Sequence, residues 1–62
     1  MEIKVNNKKF IVTDMIIVGT DTNKYNVFDE TYNHVCTIDA KNDIEFASKF
    51  NDYLIEVNYE LE

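Results

Sequence analysis

The period of the apolar residues changes once along this 62-residue chain, close to residue 41. Before that point Val, Ile, Thr, Tyr and Phe alternate with polar residues, as in half-buried strands. After it, apolar residues recur at the three-to-four spacing of an amphipathic helix. The pattern predicts an α+β fold, with strands first and one helix last. A chain of this length buries only roughly 60% of the surface it exposes when unfolded, so residues 1–62 form a single small domain.

Three polar clusters break the first part: Asn6-Asn7, residues 19–23, and Glu30-Thr31-Tyr32-Asn33. They predict a four-stranded antiparallel meander in the order 1-2-3-4. Asn6-Asn7 suits a two-residue hairpin loop, because Asn tolerates positive φ. That turn sets Ile3 opposite Phe10. The last cluster, read as a loop over residues 30–33, sets Phe28 opposite Val35, Val27 opposite Cys36, Tyr25 opposite Ile38, Lys24 opposite Asp39 and Asp29 opposite His34. The middle loop, placed at residues 20–23, sets Ile16 opposite Val27 and Val18 opposite Tyr25. One face then collects Ile3, Phe10, Val12, Ile16, Val18, Tyr25, Val27, Cys36 and Ile38. A slip of one residue would scatter that set over both faces.

Asn42 followed by Glu45 reads as a capping box, and the helix is expected over about residues 43–60. Phe46, Ala47, Phe50, Tyr53, Leu54, Val57 and Leu61 fall within an arc of roughly 120° on such a helix. Residues 55–61 also alternate strictly, which would suit a fifth strand. The helix is preferred because its arc also accounts for residues 46–54 and because the sheet needs a cover.

Twelve acidic against six basic side chains give a net charge of −6. Direct binding to a nucleic-acid backbone requires clustered Lys and Arg, so it is not expected. The longest apolar run, Met15 to Val18, is far too short for a membrane span. No signal segment is read at the start of the chain, and the single cysteine, Cys36, excludes an internal disulfide. A reducing, cytoplasmic setting is the expectation. Eight Asn with no Pro or Trp fits the residue usage of an AT-rich genome, that of a low-GC bacterium, its phage or mobile elements, or an archaeon.

Candidates for chemistry are few. His34 and Cys36 stand two apart on a strand, as a thiolate–imidazole dyad or half of a metal site would require. A structural zinc site needs four such ligands, and the lone Gly19 makes no phosphate-cradling loop. No catalytic residue, cofactor or metal is expected, and the chain reads as a non-enzyme. Asp14, Asp29 and His34 fall on one rung in the register above, where two carboxylates would hold an imidazole charged. Ile11, Met15, Ile17, Phe28 and Val35 point away from the helix side, as a partner surface or homodimer interface would. Asp52, Glu56 and Glu60 stack at i, i+4 intervals as an acidic stripe. These features predict a protein-interaction module, able to self-associate. The alternative is an acidic inhibitor that mimics nucleic acid in a basic groove of a larger protein.

Overall fold

The structure, a computed structural model, describes residues 1–59. Four strands, β1 (Glu2–Val5), β2 (Lys8–Ile16), β3 (Asn23–Phe28) and β4 (His34–Ala40), form one antiparallel sheet in the order 1-2-3-4. A single helix, α1 (Asp43–Glu56), packs on one face. No described helix is long and apolar enough to cross a membrane.

Local chemistry sets the boundaries. Asn6 takes φ 55°, the positive value that a two-residue hairpin loop demands, and Ile3 pairs with Phe10. Asn42 caps the helix: its side-chain oxygen accepts the Glu45 N–H at 2.8 Å, and Glu45 returns a bond to the Lys41 N–H at 3.1 Å. The helix ends four residues short of the expected 60, at Glu56, because Asn58 turns left-handed (φ 53°). The Tyr59 N–H then reaches Leu54 O at 2.9 Å and the Asn58 N–H reaches Ile55 O at 3.1 Å, a Schellman closure. Residues 54–59 are thus helix and cap rather than strand, and Leu61 lies outside the described residues.

The core is the helix-side face of the sheet under three helix side chains. Phe10, Val12, Tyr25, Val27, Cys36 and Ala40 meet Phe46, Phe50 and Leu54, all buried. The rings do much of the filling. Tyr25 stacks on Phe46 at 4.6 Å between centroids, and Phe10 meets Phe50 edge-on at 5.1 Å and Tyr59 at 5.6 Å. Ala47 and Val57, inside the expected apolar arc, are exposed.

Two registers differ from the sequence reading. Val12, not Ile16, lies opposite Val27, a slip of four residues between β2 and β3. An even slip keeps the same side chains on the same face, but it carries Ile16 to the last rung, opposite Asn23, and leaves Val18 beyond the strand. They are 76% and 95% exposed. The other difference is a bulge in β4: Val27 faces Cys36 as expected, while Phe28 faces His34. Val35 is the extra residue, and it packs against the buried cluster.

Candidate functional site

The bulge decides the fate of the His34 and Cys36 pair. With Val35 inserted, the two side chains no longer share a face. Cys36 lies in the buried cluster, where burial pushes its thiol above the ordinary value. His34 is exposed on the outer face, edge-on to Phe28 at 5.8 Å. The Thr37 hydroxyl donates to Asn26 Oδ1 at 2.9 Å, so His34 Nε2, 2.9 Å from Thr37 Oγ1, supplies the hydrogen between them. This chain of bonds laces the outer face and leaves the Cys36 thiol out of reach of the imidazole.

The rung of Asp14, Asp29 and His34 is not formed. Asp14 lies opposite Tyr25, whereas Asp29 follows β3 at the other end of the sheet. Asp29 instead organises its own loop. Its Oδ1 accepts from Thr31 Oγ1 at 2.7 Å, Thr31 N at 2.9 Å and Asn33 N at 3.0 Å. Those donors, the Thr31 hydroxyl first, hold its carboxyl below the ordinary 3.8. They also offset the strain of Tyr32, which sits at φ 65°. No group of three or more His, Cys, Asp or Glu among the described residues is placed to hold a metal ion.

The expected outer apolar block is only partly assembled. Ile11 and Phe28 stand opposite each other, both half-buried, but Met15 lies beside Lys24 two rungs away. Thr13, Asn26 and Thr37 occupy the rung between them. Val35 has left for the core, and Ile17 follows the end of β2. In the acidic stripe Asp52 and Glu56 are exposed, and Glu60 lies outside the described residues. An open cleft of about 330 Å³ lies between Lys8–Phe10, Asp29–Thr31 and Tyr59, with charges of both signs around its rim.

What the structure brings together instead is a bare edge with an apolar run along it. Val12 donates to Met1 O at 2.7 Å, and its carbonyl accepts from the Met1 amine at 3.0 Å. Alternate residues of an antiparallel strand aim both backbone groups to the same side. Asp14 and Ile16 therefore aim theirs past Met1, where no strand of the described residues lies. The side chains here are Met15, 56% exposed, Ile16 and Val18, with Ile17 half-buried between them. A turn closes the run: the Thr20 N–H and hydroxyl both reach Ile17 O, and Gly19 takes φ 88°, the left-handed value this turn needs.

The sequence reading missed Ile16 and Val18 as surface residues. The signal was Asp14, which interrupts the helix-side row between Val12 and Ile16. A charge pointing to that side marks where the core stops and is a common guard on sheet edges. Tyr25, opposite Asp14, is buried, and its hydroxyl donates to Asp43 Oδ1 at 2.9 Å. Burial first, then this bond and the nearby carboxylates of Asp43 and Asp14, raise its pKa above the ordinary 10.0. No family model, curated protein or solved structure matches this chain.

Proposed function

We propose that this chain is a non-enzymatic interaction module that binds another strand along the free end of β2. One observation carries the reading: the apolar run Met15–Val18 lies beside backbone groups of Asp14 and Ile16 that face no strand. Strand addition uses such groups for affinity and the flanking side chains for selectivity. A small domain gains most from an added strand where its own apolar side chains are least covered. The acidic helix face supports a second, lesser reading as a mimic of nucleic acid. Asp52 and Glu56 would serve equally well to solvate the helix.

A photo-crosslinking residue placed at Ile16, with the same residue at exposed Ser48 as control, tests the proposal in cells. The expected result is a product of discrete mass from position 16 and none from position 48. Equal labelling at both positions, or no product at either, would count against strand addition at this edge.

A further inference from the structure

We draw no further inference here: the strongest candidate, the open cleft of about 330 Å³ between Lys8–Phe10, Asp29–Thr31 and Tyr59, carries nothing, because the Asp29 carboxylate is taken up by its own loop, Lys9 is held by Glu2 at 3.3 Å, and nothing in the structure shows what would fill it.

Discussion

The two long margins of this sheet are finished in different ways. Along β4 the outward carbonyls of Val35 and Asp39 are met by Tyr53 and Lys49 from the helix. Along β2 beyond Val12 the corresponding groups of Asp14 and Ile16 meet no strand or helix of the described residues. The helix sits toward β4, so two carbonyls of one margin are covered by its side chains while the other margin beyond Val12 is left to the solvent. Apolar character does not decide which is which. Phe10 and Ile16 project from the same face of the same strand, yet the first is 1% and the second 76% exposed. What separates them is the cover that Phe50 and Tyr59 supply over Phe10.

The largest test of that contrast is truncation of each side chain in turn. Phe10→Ala should cost about 3–5 kcal/mol, enough to abolish a cooperative urea transition in so small a domain. Ile16→Ala should stay within about 0.5 kcal/mol of wild type in the same titration. Comparable losses at the two positions would erase the distinction between a covered and an uncovered half of β2.

Stripping the covered carbonyls of β4 should have an intermediate effect. Tyr53→Phe combined with Lys49→Ala removes both side-chain bonds to β4 and should cost about 1–2 kcal/mol in all. It should also bare more of the β4 margin, so that light scattering detects more association than in wild type. Unchanged scattering would mean that the two bonds do not protect β4.

Protons should have the smallest effect, and at opposite ends of the scale. Asp29 and Glu45 are held below their ordinary 3.8 and 4.5, Glu45 chiefly by the Lys41 N–H. A lowered acid stabilises the fold above its unfolded pKa, and that contribution fades as pH falls through the folded value. Tyr25 is raised, so its contribution is intact below 10.0 and fades as pH climbs past it. Urea midpoints should therefore be flat near neutrality and fall on both sides. Asn in place of Asp29 should flatten the acid limb, and Phe in place of Tyr25 the alkaline one.

The strand order, the first and last loops and the start of the helix were legible because each rests on local chemistry: Asn6 at a positive φ, Asp29 binding its own loop, Asn42 capping its own turn. The pairing of β2 with β3 was not. A period of two is blind to a shift of four, and Ile16 alternates as well as Val12 does. The choice between them is made at long range, by where Phe50 comes down on Phe10. The bulge at Val35 was hidden for a similar reason, since a valine suits either face of a sheet. That single inserted residue separates His34 from Cys36 and removes Val35 from the outer block. The rung of Asp14, Asp29 and His34 fails through both errors of register.

The position of Cys36 also makes the molecule its own stopwatch. Its sulfur lies under the helix side chains, 9% exposed, and its thiol resists ionisation. An alkylating reagent gains full access to it when helix and sheet part company, so the rate of its capture reports on those separations. The same clock should slow when an added strand docks along β2, because docking steadies the layer on which the helix rests.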